Sequence, residues 1–313
     1  MYYPYLRGKQ FELLALREFA ENYSDNCRIL PIIEPVKSSF NSMKIAIKKL
    51  QEKNLKFALI INPKNGDLIG KYDTILTELA SLLSNTETWI PAYIVNTNAD
   101  GIKKHIQEQN YQNVLLICED SVDTNDLNFN DLINLAEVKT ILMSQDNRSL
   151  KRKLDRLGKA SVRFDDKFKP QKRNADYVGI PEERFTEEHN YYLSDGYCGF
   201  GDYTVLQSDF SEGGRLPYAV AIHLTYEKDE EEIWIRHFVS DTNDDSTNIQ
   251  GKFGEAAEKA VNFFERLPYS NNSIDELSTY LRNGQYPGLG MLKKISIKSH
   301  LELINNTLNS KTS

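Results

Sequence analysis

The sequence predicts an α/β protein, a TIM-like (β/α)8 barrel with an additional β-hairpin and C-terminal helices. Two observations lead to this fold class. Seven short runs rich in Ile, Val and Tyr recur in the first two thirds of the chain, and each is followed by a segment of helical period. The repeat of roughly 25 to 30 residues leaves room only for helical crossovers, so the strands should be parallel.

The seven predicted strands lie between Tyr2 and Asp166. They are YYPYLRGK from Tyr2, RILPIIEPVK from Arg28, FALIINPK from Phe57, WIPAYIVNTN from Trp89, NVLLICED from Asn113, VKTILMSQD from Val138 and ASVRFDD from Ala160. The segment GYCGFGDYTVL, from Gly196 to Leu206, supplies a candidate eighth strand. An open doubly wound sheet also alternates strands with helices, but seven or more successive units exceed its usual strand number and favour the closed barrel.

Helices between these strands are predicted from apolar residues at helical spacing. In the first helix, Phe11, Leu14 and Phe19 belong to an apolar stripe set among charged residues that include Glu12 and Glu18. Comparable stripes follow the other strands. They include Ile45, Ile47 and Leu50; Ile75, Leu79 and Leu82; Ile102 and Ile106; Leu132 and Ile133; and Leu150, Leu154 and Leu157.

The regular alternation of predicted strands and helices ends after Asp166. A polar stretch with two prolines and no clear period predicts a long inserted loop at about 167–195. Beyond it, YAVAIHLTY and EIWIRHFVS predict an extra β-hairpin at about 218–240, and helices are expected at 252–266, 274–281 and 292–308. We interpret residues 1–313 as a single barrel-like domain that carries these additions.

Composition narrows the class of protein. A formal net charge of −7 argues against nucleic acid as the main partner. Three widely separated cysteines form no CxxC pair, which favours a reducing compartment. No apolar run is long enough to span a bilayer, and no basic segment precedes an apolar run at the N-terminus. We therefore expect a cytoplasmic protein without a membrane partner.

Polar residues collect where the predicted strands end, and in a barrel these positions converge on one mouth. Glu34, Glu119 and Asp165 have the oxygen ligands that suit a hard cation such as Mg²⁺, and they are the candidate catalytic carboxylates. The candidate binding residues for an anion or polar ligand at this mouth are Arg7, Lys9, Lys64 and Asn96. Salt bridges across the mouth are the structural alternative.

Three histidines and a basic stretch complete the candidates. His223 and His237 are spaced to meet in the hairpin, where a structural role is favoured over zinc binding. His300, on a predicted helix, is a candidate general base with core packing as the alternative. A basic stretch begins at Lys167 and could bind an acidic partner or a nucleic acid. The alternative is a loop that contacts only solvent. The residues concerned are Lys167, Lys169, Lys172, Arg173, Tyr191 and Tyr192.

Motifs along nearly the whole chain resemble the beta protein family, named after a phage protein. They are YYPYLRGKQFELLALREF and ILPIIEP at the start, DGYCGFGDYTVL, GGRLPYAVAIHLTY, IRHFVSD and GKFGEA further on, and YPGLGMLKKISIKSHLEL near the end. The polar matches are Arg7, Lys9, Glu34, Gly201, Asp202, Tyr203, His223, His237 and His300. The match is to an uncharacterised bacterial branch of that family, often encoded beside a nuclease-like gene.

The resemblance implies a barrel-like α/β fold and a setting in mobile elements and phage defence, but no activity and no catalytic residues. Three hypotheses follow. The first is a recognition or partner-dependent component of a two-gene bacterial module, with the adjacent nuclease-like gene product as its partner. The alternative is a metal-dependent phosphodiesterase or related hydrolase with its site at the barrel mouth, and the third is a structural or immunity-type protein that covers its partner's surface.

Overall fold

The computed structural model describes residues 1–25, 27–120, 122–213, 217–229 and 232–311. The strands in these ranges are β1 (Tyr2–Arg7), β2 (Ile32–Glu34), β3 (Phe57–Ile60), β4 (Trp89–Val95), β5 (Val114–Cys118), β6 (Val138–Met143), β7 (Ala160–Phe164), β8 (Glu182–Thr186), β9 (Gly199–Asp202), β10 (Ala221–Lys228) and β11 (Glu232–Val239).

The α-helices are α1 (Gln10–Tyr23), α2 (Asn41–Glu52), α3 (Tyr72–Leu83), α4 (Ala99–Glu108), α5 (Leu127–Asn134), α6 (Arg148–Leu157), α7 (Glu188–Tyr191), α8 (Ile249–Phe264), α9 (Asn272–Arg282) and α10 (Leu289–Ser310). Short 3-10 helices occupy Gly66–Leu68 and Asn174–Gly179. The described part of the chain forms two compact units. The first comprises Met1–Leu13, Ser24–Asp165 and Glu188–Asp202, and the second comprises Leu14–Tyr23, Asp166–Glu187 and Tyr203–Ser313.

The first unit contains a closed barrel of eight parallel strands, β1 to β7 and β9. All seven runs recognised in the sequence form strands of this barrel, and the eighth strand lies inside the predicted Gly196 to Leu206 segment. The barrel closes where β9 pairs with both β1 and β7. The predicted (β/α)8 barrel is therefore confirmed.

The pleat of β4 shows which residues face the barrel interior. Trp89 Nε1 donates to the Leu83 carbonyl of α3 at 3.0 Å, and Tyr93 contacts His105 of α4 at 2.8 Å, so both side chains face the outer helices. Because side chains alternate along a strand, Ile90, Ala92 and Ile94 face inward. Strand register carries this assignment around the barrel, since paired residues of parallel strands share a face.

The second unit contains a three-stranded antiparallel sheet of order β10-β11-β8. The predicted hairpin is confirmed in β10 and β11, and residues 230–231 of its turn lie outside the described residues. The predicted long loop was wrong over Glu182–Thr186, because this segment pairs with β11 as β8. Its sequence, EERFT, contains no apolar run from which a strand could be recognised. In the structure only Phe185 and Thr186 of this strand are buried, and Glu182 pairs with Arg236 of β11 at 2.7 Å.

Candidate functional site

The polar mouth of the barrel begins at the ends of β1 and β2. Arg7 and Glu34 are register partners there, and they share the inward face with Tyr5 and Ile32. Glu34 is fully buried and Arg7 is nearly so. Glu12, which the helical pattern grouped with the charged residues of α1, is also buried, and its Oε2 accepts the Arg7 backbone N–H at 2.7 Å.

Glu34 organises the loop that follows β3. Its Oε1 accepts the backbone N–H groups of Lys64 and Asn65 at 2.9 and 3.1 Å. The Asn65 side-chain amide donates to the same carboxylate, with Nδ2 at 3.0 Å from Oε2. Hydrogen bonds of this kind to an ionised carboxylate are stronger than neutral ones, so Glu34 holds the backbone of the loop in place.

The outer edge of the mouth is an ion pair. Lys64 Nζ lies 2.6 Å from Glu119 Oε1, and both side chains keep a substantial exposed fraction, 43% for Lys64 and 29% for Glu119. We name Arg7, Glu34, Lys64, Asn65 and Glu119 the mouth cluster. Its buried members form the scaffold, and its exposed pair offers one positive and one negative group to a ligand.

Two other predicted binding residues near these strand ends have local roles. The Asn96 side chain accepts the Thr97 backbone N–H at 2.5 Å, which shapes the turn after β4. Lys9 immediately precedes α1, at the N-cap position, and makes no side-chain cap hydrogen bond to that helix. Asn62, next to the same mouth, uses its amide to bridge β3 to Ile94 of β4, with distances of 2.7 and 2.8 Å.

Asp165 does not join Glu34 and Glu119. Phe164 shares the inward face with Tyr5, and their ring centroids lie 6.0 Å apart, so the neighbouring Asp165 belongs to the opposite face. It accepts from Arg163 Nε at 2.8 Å, and Arg163 Nη1 also pairs with Glu188 of α7 at 2.7 Å. Asp165 directly follows β7, as the sequence predicts, but its position at a strand end does not show which face of the strand its side chain occupies.

Asp202 likewise belongs to a buried pair. The Tyr2 hydroxyl donates to Asp202 Oδ1 at 2.5 Å, and both residues are buried. Burial and the negative charge of Asp202 raise the pKa of Tyr2 well above its ordinary value, so the phenol stays protonated and keeps donating. This arrangement ties β1 to β9 and leaves Asp202 in a structural role.

The predicted metal site is not present as a group of ligands. Among the described residues, no three His, Cys, Asp or Glu side chains are gathered so that they could hold a metal ion. The set Glu34, Glu119 and Asp165 fails for a physical reason: Asp165 faces away from the interior, and the other two carboxylates are bonded to N–H or ammonium donors. The arrangement does not fit the predicted Mg²⁺ ligand set.

The predicted histidines lie in the second unit. His223 and His237 are direct register partners in β10 and β11, and their Nδ1 atoms are 2.7 Å apart. His300 of α10 is buried, its Nδ1 lies 2.9 Å from Thr225 Oγ1, and its ring meets Phe185 edge-on. Burial lowers the pKa of His300 to about 3, which leaves it neutral near pH 7.

Sequence reasoning missed Asn65, Glu188, Tyr177 and Glu183. Asn65 directly follows the predicted site residue Lys64, so a wider search around each strand end would have included it. Tyr177 and Glu183 fall in the segment that was expected to be a loop, and only their contacts with His237 identify them. No sequence pattern marks these contacts.

Comparison with known proteins assigns neither a family nor a function to the chain. No protein-family model matches the chain, and no curated protein matches it either. Among the described residues, no helix combines the length and the apolar character that crossing a membrane would require. The resemblance to the beta protein family therefore stays a prediction, and functional inference depends on the geometry given above.

Proposed function

We propose that this protein is a recognition protein, the binding component of a two-gene bacterial module that acts through a co-encoded protein partner. One observation carries the proposal. Glu119 pairs with Lys64, Asp165 pairs with Arg163, and Glu34 is saturated by N–H donors. A metal-dependent hydrolase needs carboxylate oxygens turned toward one common point. Carboxylates that are satisfied within the protein suit a binding scaffold better.

The second unit supplies a surface suited to recognition. Tyr177 is buried and fixes the 3-10 helix, and Asn174 Nδ2 donates to the Ala219 carbonyl at 2.9 Å, which holds this helix beside the start of β10. Two apolar side chains stay exposed on the segments that this bond joins, Val178 at 62% and Tyr218 at 59%. We name Lys172, Val178 and Tyr218 the recognition surface.

The chemistry of this surface specifies the partner. A tyrosine and an aliphatic side chain on a fixed backbone are typical anchors of protein interfaces, and the exposed Lys172, on the same segment as Val178, favours an acidic group on the other protein. We propose the adjacent nuclease-like gene product as that partner, in a phage-defence setting, because the family resemblance implies this gene order. The three cysteines are free thiols, in keeping with a cytoplasmic location.

The binding test uses the purified chain and the adjacent gene product. Val178→Asp with Tyr218→Ala should raise the Kd at least tenfold, about 1.4 kcal/mol, when measured by titration calorimetry. Leu127→Asp, at an exposed position of the first unit, is the matched control and should bind like the unsubstituted protein. No binding at micromolar concentration, or equal binding by the double variant, would reject the proposal.

A second candidate function is hydrolysis at the barrel mouth. The observation that favours it is the mouth cluster, in which a buried Arg7 and Glu34 lie next to the exposed Lys64–Glu119 pair. The test is turnover of a phosphodiester substrate by the purified chain with Mg²⁺. Activity that Lys64→Ala and Glu119→Ala both abolish would replace the recognition proposal with the enzymatic one.

A further inference from the structure

The histidine pair of the second unit has an unusual geometry. His223 and His237 face each other across β10 and β11, with Nδ1 atoms 2.7 Å apart. At this distance one Nδ1 must carry a proton and donate it, while the other must accept. The pair therefore holds only one proton between its two Nδ1 atoms.

Aromatic rings surround this pair. The Tyr177 ring centroid lies 4.7 Å from that of His223 and 4.4 Å from that of His237, and Phe168 lies 5.2 Å from His223. Both rings come from residues 168–179, which we name the capping segment. The histidine pair is thus a large part of what the capping segment packs against on the sheet.

Charged groups near the pair lie on β8 and on the capping segment. Glu183 Oε1 of β8 lies 3.6 Å from His237 Nε2, and Lys169 of the capping segment pairs with Glu183 at 2.8 Å. On the same sheet face, the Nδ1 of His300 from α10 contacts Thr225. The Glu183 carboxylate can offset one positive charge on His237, but it is shared with Lys169 and lies on the side of the ring away from His223.

A second proton on the pair would disrupt this packing. Two protonated Nδ1 atoms would point their N–H groups at each other, and the added charge would lie between aromatic rings that have replaced water. We propose that the His223–His237 pair is an acid-sensitive clasp, which holds the capping segment on the sheet at neutral pH and releases it on protonation. This inference does not depend on the proposed function.

The direction of the pH effect follows from the pKa values. Burial lowers the pKa of His223 to about 3, and burial also lowers the pKa of His237 despite the opposing charge of Glu183. Imidazoles released to solvent return to an ordinary pKa near 6.5. The closed state is therefore favoured above pH 6.5, and release of His223 increases the open fraction about tenfold between pH 7 and pH 5.5, with His237 acting in the same direction.

Hydrogen exchange of the whole protein tests the clasp. At pH 5.5, protection of capping-segment amides, corrected for intrinsic rates, should fall about tenfold relative to pH 7, and β5 amides, which exchange through global unfolding, record the loss of overall stability separately. His223→Asn with His237→Asn keeps an amide donor and acceptor in place without a titrating group, and should remove the pH dependence. His300→Asn, the matched control, should retain it.

Two results would overturn the clasp: equal protection of the capping segment at both pH values, or an unchanged pH dependence in the double variant. If the double variant does not fold, nitrogen NMR of the histidine rings in the unsubstituted protein decides instead. The shared-proton signal should disappear together with capping-segment protection on acidification. Release of the segment while that signal persists would equally reject the proposal.

Discussion

At the scale of single residues, the two glutamates of the mouth cluster differ in burial and therefore in role. Glu34 is fully buried and accepts hydrogen bonds from the backbone of Lys64 and Asn65, whereas Glu119 lies at the rim in a half-exposed ion pair. The sequence placed both at strand ends as candidate catalytic carboxylates. In the structure, Glu34 supports the backbone of a loop, and Glu119 lies where a ligand can reach it.

We expect Glu34→Ala to lower the free energy of unfolding by about 1 to 3 kcal/mol, because partly buried N–H groups of Lys64 and Asn65 lose their acceptor. Glu119→Ala should cost less than about 1 kcal/mol, as is typical for exposed ion pairs. Urea denaturation checks both values, and Glu34→Gln, which keeps an acceptor oxygen, is the control with an intermediate loss. Equal losses at the two positions would contradict this division of roles.

At the scale of elements, β9 closes the barrel only because it is small. A Cβ on Gly201 would meet the Tyr3 carbonyl oxygen and would lie 3.1 Å from Phe164 Cδ2. The absence of a side chain leaves room for Tyr3 of β1 and Phe164 of β7, the two strands with which β9 pairs. This explains why a four-residue strand with two glycines is compatible with a closed sheet.

Gly201→Ala should therefore lower the free energy of unfolding by about 1 to 3 kcal/mol through overpacking. Gly101→Ala is the matched control, because a Cβ there meets nothing within 4 Å and alanine favours the helical backbone of α4. Its expected effect is a gain of about 0.5 to 1 kcal/mol. Thermal unfolding distinguishes the two variants. If Gly201→Ala leaves the free energy of unfolding unchanged, β9 can shift outward to accommodate a side chain.

Another element, β8, decides which substitutions or deletions can test partner binding by the segment that follows β7. A loop inserted at about 167–195 would be tested most simply by deleting most of it. Because this range contains β8, which pairs with β11, the deletion removes a strand from the sheet of the second unit. Point substitutions on the recognition surface are the sharper experiment, since Val178 and Tyr218 are exposed.

At the scale of the whole molecule, buried histidines make stability depend on pH. The pKa values of His223 and His300 are lowered to about 3, so both imidazoles must gain protons on unfolding at mildly acidic pH. Their contribution is fully present above pH 6.5 and declines as pH falls toward 3. Glu302 acts in the opposite direction, because burial raises its pKa and its contribution is lost as pH rises.

We expect the free energy of unfolding to fall by about 2 kcal/mol for each of these two histidines between pH 7 and pH 5. Carboxylates with lowered pKa, such as Glu18 and Glu182, weaken the fold only at lower pH. Because Glu302 acts in the opposite direction, the share of a histidine is measured as the difference between the unsubstituted protein and its variant. Urea denaturation at both pH values is the measurement, and His300→Asn should reduce the fall by about 2 kcal/mol. If the free energy of unfolding of His300→Asn falls as much as that of the unsubstituted protein, the contribution assigned to His300 is refuted.

Sequence alone determined the order and parallel direction of the barrel strands, the hairpin and the C-terminal helices, because hydrophobic period and repeat length are local properties. It also brought Arg7, Glu34, Lys64 and Glu119 to one mouth, since parallel strands end on the same side. Only the tertiary structure decided that Asp165 faces away from the interior, that Glu12 is buried, and that EERFT is a strand. Those outcomes depend on pleat direction and on partners distant in sequence, which a local pattern does not contain.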